Sequence, residues 1–389
     1  MPNIYLDHQA STPLSPGVAK AMSALFSTAW ANPHSDDHAA GWDAAAVVDR
    51  ARVAVAAAIG AEAEEVVFTS GATEANNLAL LGVAEAMDGR TGRVVVSAVD
   101  HKSVLAPARA LARRGWELAV APVGRDGLID LDELARLAAG ATLVSVGAVN
   151  NEIGVVQPMS AIAGICRAAG ALLHTDVTQA LSWGAADVVA MGADFASLSS
   201  HKAGGPKGIG ALYVALPTAD RIAPLFHGGG QEGGLRPGTV PTPLCAGFAA
   251  ACSALPDEEA VARWRGVTGL LLRHLEKLVP GTVLNGAATP RHPGNLNVML
   301  PGADADAVLA RVQPRLAAAR GSACTSGIPE PSHVLAAIGL TSDEAERSIR
   351  LSTGPATTME EVETAARMIA AACSELAAGE RQPNGSLVA

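Results

Sequence analysis

The sequence predicts an α/β protein with a mixed, mostly parallel sheet covered by helices, followed by a smaller α+β domain. Three observations carry this. Short runs rich in Val, Leu or Phe alternate with helix-like segments from about residue 65 to residue 214. The runs are continuously apolar, as strands buried on both faces are. After about Leu255 the texture changes to long helices and scattered short strands.

In order along the chain, strands are expected at 65–69, 93–98, 116–121, 142–149, 171–175, 194–198 and 210–214. Helix patterns fall between several of them, at 72–81, 103–114, 131–138 and 161–168. Gly228-Gly229-Gly230 and Gly233-Gly234 then break the pattern with a flexible loop. A long helix at 258–278 leads to a strand at 294–300, another helix, a strand at 316–320 and a C-terminal helix near 360–378. The last residues, 379–389, are polar and read as a loose tail. The expected division is a large domain at 14–255 and a small one at 1–13 and 256–389, with the boundary near Pro256.

With 389 residues the chain can bury a large core. No apolar run is long enough to span a bilayer, and the N-terminus lacks the pattern of a signal peptide. A formal net charge of −10 disfavours a nucleic-acid partner. The five cysteines show neither a C-x-x-C pair nor zinc spacing, which fits reduced thiols in a cytoplasmic protein. These properties point to an enzyme that needs no membrane, no metal and no nucleic acid.

Chemistry gathers where predicted strands end. Ser199-Ser200-His201-Lys202 follows one apolar run and His174-Thr175-Asp176 closes an earlier one. A lysine amine for a Schiff base, with a carboxylate to keep a pyridine nitrogen protonated, is what pyridoxal 5'-phosphate requires. The chain has only Lys20, Lys102, Lys202, Lys207 and Lys277 to choose from. The alternative for Lys202 is a surface lysine at a strand end. Thr69-Ser70-Gly71-Ala72-Thr73 runs from a strand into a helix, where exposed N–H groups favour a phosphate or simply cap the helix. Ser199 and His201 are close enough in sequence to complete a phosphate clamp.

Asp100-His101-Lys102 places an imidazole at a third strand end, able to stack on a ring and exchange protons near neutral pH. Asn150-Asn151-Glu152 follows a fourth; its amides could bond a ligand or serve the turn. Open α/β sheets bind ligands at these carboxyl ends, so the set of His101, Asn151, Asp176 with Gln179, and Lys202 counts for more than any member. In the second half, Cys324 sits among small polar residues, which suits an exposed reactive thiol. Cys166, Cys245, Cys252 and Cys373 have apolar or helical neighbours and read as buried packing. Arg350 alternates with Ile349 and Leu351 in a strand-like run, and could hold a carboxylate or a structural ion pair.

Together these motifs resemble the cysteine desulfurases of the class V aminotransferase group, which are fold type I pyridoxal-phosphate enzymes. The resemblance runs over nearly the whole chain. It begins at Tyr5-Leu6-Asp7-His8-Gln9-Ala10-Ser11-Thr12-Pro13 and includes Asn32-Pro33-His34-Ser35, 69–77, 100–102, 150–154, 176–179 and 199–210. It continues through 228–239, 321–326 with Glu330-Pro331-Ser332-His333-Val334-Leu335, and 348–352. Gly321-Ser322-Ala323-Cys324-Thr325-Ser326 with a long following segment is similar to the group that supplies sulfur for iron–sulfur cluster assembly and tRNA thiolation.

The resemblance implies that Lys202 carries the cofactor, Asp176 pairs with the pyridine nitrogen, Gln179 bonds the ring oxygen and His101 stacks on the ring. It implies that Ala72, Thr73, Ser199 and His201 hold the phosphate, and that the protein is a homodimer in which Thr239 reaches the neighbouring subunit's phosphate. Asn151 and Arg350 would hold the carboxylate of L-cysteine, and Cys324 would be the nucleophile that passes sulfur to an acceptor such as an iron–sulfur scaffold protein. Three departures from the family stand out: the loop has Gly233 where Arg is usual and Pro237 where Ser is usual, Val177-Thr178 follows Asp176 where two alanines are common, and Ala203-Gly204-Gly205 follows Lys202 where many relatives have a bulky pair. None removes a group the chemistry needs. The rival expectations are a related lyase or aminotransferase that does not need Cys324, and a non-catalytic scaffold.

Overall fold

The computed structural model describes residues 3–320 and 332–380. Its strands in chain order are β1 (Ile4–Tyr5), β2 (Val66–Thr69), β3 (Arg93–Ser97), β4 (Glu117–Ala121), β5 (Leu143–Ser145) and β6 (Leu172–Asp176). There follow β7 (Phe195–Ser199), β8 (Gly210–Val214), β9 (Val283–Leu284), β10 (Asn295–Met299), β11 (Leu316–Ala317) and β12 (Ser348–Ser352). Seven of them form one sheet in the order β2-β8-β7-β6-β5-β3-β4. Only β8 runs against its neighbours, β2 and β7; the other pairs are parallel. The expected α/β class and mixed, mostly parallel sheet are therefore present.

Central strands such as β7 and β8 are buried along their whole length, because helices cover both faces. One hydrophobic core fills one face and includes Phe68, Val144, Leu198 and Phe248. Another fills the opposite face around Leu80, Val96, Leu111 and Phe195. A third core joins Ile4 and Leu6 to Leu271, Val298, Leu351 and Ile369, so the N-terminal strand packs among C-terminal elements. There β1 pairs with β11, and β10 lies between β9 and β12. Among the described residues no helix is long and apolar enough to cross a membrane.

Local chemistry sets the boundaries. The helix Glu258–Leu278 starts where Asp257 accepts the Ala260 N–H, with Glu258 and Glu259 in its positive first turn. The helix Met159–Ala169 stops at Gly170 in a left-handed conformation. The expected strand 142–149 is cut to β5 because on the β3 side the Gly147 N–H turns to Asp100 Oδ1, 2.7 Å away. The helices Ala39–Ala58 and Thr242–Ser253, which the sequence reading lacks, pack against each other. Their many alanines spread round the helix and leave no sharp apolar stripe to read.

The glycine-rich segment is pinned by Glu232, whose side chain is 1% exposed. Its carboxylate takes a bidentate pair from Arg52, at 2.7 and 2.8 Å, and the Phe68 N–H at 2.6 Å. The next residue, Gly233, has φ +64, a conformation glycine adopts without strain. Glu232→Ala leaves a guanidinium and a strand N–H without their acceptor. It should lower unfolding free energy by about 3 kcal/mol in urea denaturation, the scale for one lost partner of a buried pair. A loss under about 1 kcal/mol would place the pair with exposed ion pairs instead.

Candidate active site

A cavity of about 450 Å³ opens at the carboxyl edge of the large sheet. The chain leaves β3 at Ser97, β5 at Ser145, β6 at Asp176 and β7 at Ser199, so residues distant in sequence converge there. Ala72, Thr73, His101, Asn151, Asp176, Gln179, Ser199, His201, Lys202 and Arg350 all line it. Thr239 is exposed and is not among the lining residues. Cys324 lies outside the described residues.

At one end Asp176 Oδ1 accepts the Thr178 N–H at 3.0 Å and Oδ2 accepts Asn76 Nδ2 at 2.8 Å. Asp100 is fully enclosed beside it and accepts the Ser97 and Gly147 N–H groups at 2.8 and 2.7 Å. Burial, opposed by these two bonds and reinforced by the Asp176 charge, raises the Asp100 carboxyl to about 7. Thr178 Oγ1 is buried without a hydrogen-bond partner at this end. At the other end the helix Ala72–Ala86 points its first turn inward from Gly71, whose φ is +149. First-turn N–H groups have no partner within a helix. Ser199, His201 and Lys207 line the same cavity.

Lys202 sits in the one-turn helix Ser200–Lys202 directly after β7. Its Nζ donates to the carbonyls of Gln9 and Ala10, at 2.6 and 2.8 Å. Gln9 is itself fixed by Gln179, which donates to its carbonyl at 3.1 Å and accepts from its Nε2 at 3.3 Å. His101 caps the helix Lys102–Arg113, with Nδ1 accepting the Ser103 N–H at 3.1 Å.

Arg350 is 1% exposed. Nη2 pairs with Asp7 at 2.8 Å and Nη1 donates to the Asn151 carbonyl at 3.0 Å. Its Nε is buried without a partner among the described residues, a donor left over at the cavity wall. The two asparagines divide the work: Asn150 Oδ1 holds the Glu152 and Ile153 N–H groups, while Asn151 faces the cavity.

This donor set fits a flat ring with a protonated nitrogen at the Asp176 end and a phosphate at the helix end, within reach of Lys202. That is the outline of pyridoxal 5'-phosphate. A buried arginine with a spare donor suits the carboxylate of an amino acid. Gln9, Asn76, Ser103 and Asp100 belong to the site too; Gln9, Asn76 and Asp100 carry a sequence signal only as members of matched motifs, and Ser103 carries none. Among the described residues no cluster of three or more His, Cys, Asp or Glu is placed to hold a metal ion.

Burial pushes His8, His174 and His201 down to about 4 and His292 to about 3; Lys202 and Lys207 add to the effect at His201. In the unfolded chain these rings take a proton near pH 6.5. Their contribution to stability is therefore full above about pH 6.5 and is lost as pH falls toward 4. The thermal midpoint should drop steadily from pH 7 to pH 5, and His292→Gln should flatten that slope. An unchanged midpoint over this range would contradict the buried neutral state of these rings.

Residues 4–364 match the family model described as aminotransferase class-V. The cysteine desulfurase IscS of Rickettsia akari (strain Hartford) is 42% identical over 377 residues, spanning 96% of this chain and 91% of that protein. A solved structure named NifS-like protein superposes with a TM-score of 0.89 at 30% identity, covering 96% of this chain and all of the other. A structure of SspA in complex with cysteine superposes with a TM-score of 0.81 at 35% identity, over 91% of this chain and all of that one. The chain belongs to the class-V aminotransferase family and, within it, to the cysteine desulfurases.

Proposed function

We propose that this protein converts L-cysteine to L-alanine and passes the sulfur, through a persulfide on Cys324, to an acceptor protein for iron–sulfur cluster assembly or related sulfur traffic. Cysteine desulfurases of the class-V family depend on pyridoxal 5'-phosphate. The observation that carries the reading for this chain is the single cavity that unites Lys202, Asp176, Gln179, His101 and a buried Arg350 with a spare donor.

Bound pyridoxal 5'-phosphate supplies the electron sink that lets the substrate's Cα–H bond ionise. In this assignment Lys202 provides the amine for its covalent attachment. Asp176 holds the proton on its ring nitrogen, Gln179 faces its ring oxygen, and His101 lies against the ring. Ala72, Thr73, Ser199 and His201 receive the phosphate. Asn151 and Arg350 orient the substrate carboxylate, a positioning effect that lowers the entropy cost of reaction. The Cys324 thiolate attacks the substrate sulfur: an S–S bond forms, the C–S bond breaks, and the carbon keeps the electron pair and takes a proton to become alanine's methyl group. Sulfur leaves cysteine and Cys324 gains it, so no outside oxidant is needed.

The protein works as a cytoplasmic homodimer in this reading, with Thr239 offered to the partner's phosphate. Phe26, Trp30, Trp42 and Phe226, each more than half exposed, are large apolar side chains of the kind a subunit interface covers.

Borohydride reduction of the yellow loaded protein should fix the cofactor on Lys202, located by peptide mass spectrometry. Attachment at Lys102 or Lys207 would refute the site. Cys324→Ser should still bind cofactor and cysteine but release almost no alanine, because a hydroxyl is not ionised near neutral pH and is a poor nucleophile toward sulfur. Alanine formation at the parent rate in that variant would favour a lyase.

A further inference from the structure

We propose that Asn76 and Ser103 form a one-way hydrogen-bond relay from Asp176 to His101, and that this relay fixes His101 with its proton on Nε2. The inference rests on the reading of Asp176 and His101 as the two groups that face the cofactor ring. Asn76 lies in the matched stretch 69–77 with no role attached to it and Ser103 lies just past 100–102; they come from different helices, Ala72–Ala86 and Lys102–Arg113.

Each link has a forced direction. Asp176 takes the Thr178 N–H on one oxygen, and its other oxygen lies 2.8 Å from Asn76 Nδ2. A carboxylate only accepts, so the asparagine amide must turn its NH₂ toward Asp176. The second hydrogen of that NH₂ reaches Ser103 Oγ, also at 2.8 Å. The serine oxygen accepts there, and because the Ser103 N–H leaves His101 Nδ1 only as an acceptor, the hydroxyl hydrogen is directed to that Nδ1, 2.7 Å away. The Ser103 backbone N–H, which can only donate, meets the same Nδ1 at 3.1 Å. Two donors converge on Nδ1 and leave no place there for a hydrogen. The neutral ring consequently holds its proton on Nε2. Asn76 is 0% and Ser103 9% exposed, so bulk water cannot substitute for either partner.

The consequence is chemical. An imidazole held as Nε2–H presents a hydrogen-bond donor to the cavity and has no lone pair on that nitrogen to act as a base. Removal of the substrate's Cα proton then falls to the Lys202 amine, while His101 donates a hydrogen bond. Ser103 and Asn76 are positioning residues in this scheme: they act through His101 and Asp176.

The test is ¹⁵N NMR of the histidine-labelled full chain, with and without pyridoxal 5'-phosphate, the His101 signals being assigned by their loss in His101→Gln. In the parent protein Nδ1 of His101 should resonate as an unprotonated nitrogen and Nε2 as a protonated one. Ser103→Ala and Asn76→Leu should each give a mixture of tautomers, and Ser103→Thr should restore the single form. The kcat for alanine formation should fall about tenfold in the first two, the worth of one strong hydrogen bond, with KM for cysteine unchanged. If Asn76→Leu does not fold, Ser103→Ala alone decides. A proton on Nδ1 in the parent, or His101 signals unaltered in Ser103→Ala, would overturn the relay. Alanine formation by the parent protein reports on the proposed function separately, since the tautomer is read without turnover.

Discussion

The site depends on one short strand of chain, Asp7 to Thr12, laid across the carboxyl edge of the sheet. Gln9 is its centre and is 3% exposed. Its N–H donates to Ser352 Oγ at 3.0 Å, its carbonyl takes Lys202 and Gln179, and its amide meets Gln179 and Asn295. A buried amide side chain is costly unless it is satisfied, and here both ends of it are. The same arm brings Asp7 to Arg350, Ser11 to His201 Nδ1 at 3.1 Å, and Thr12 to the His201 carbonyl at 2.8 Å. Lys202, His201 and Arg350 are thus located by one segment. Its register is set by the parallel bridge between Asp7 and Ser352 and by the pairing of β1 with β11.

Charge follows from that enclosure. Arg350 is shut away from water and shares Asp7 with solvent on one side only, so its interaction with any carboxylate entering the cavity is weakly screened. Asp100 and Asp176 lie near each other in the same low-dielectric pocket. Burial above all, with the Asp176 charge adding to it, raises the Asp100 carboxyl to about 7. The neutral His174 between Ser145 and Ser197, at 2.8 and 3.0 Å, adds a rigid polar floor under Asp176. Such a network positions groups without needing them to reorganise, which is the main way a protein assists a cofactor's chemistry.

Much of this was legible from residues alone. The strands of the large sheet announce themselves as short apolar runs, and four of them end on His101, Asn151, Asp176 and Lys202. The helix Glu258–Leu278 has the bounds expected of it. Arg350 was visible as the polar member of an alternating strand, but its pairing with Asp7, from the opposite end of the chain, was not. The roles of Asn76, inside a matched stretch, and of Ser103, just outside one, stayed hidden because a helical asparagine and serine show no function until packing brings their two helices together. The alanine-rich helices were missed for the opposite reason: their packing uses small side chains, which leave no periodic mark. Cys324 is known through its sequence context, since it falls outside the described residues.

The central claim is that sulfur moves from the substrate to Cys324 while the carbon skeleton leaves as alanine. A single-turnover experiment with one equivalent of sulfur-labelled L-cysteine per loaded subunit, quenched with an alkylating agent and analysed by peptide mass spectrometry, tests it most directly. The account predicts one labelled sulfur carried as a persulfide on the Cys324 peptide for each alanine formed. Label found wholly as free sulfide before any Cys324 persulfide accumulates, or on another cysteine, would contradict it.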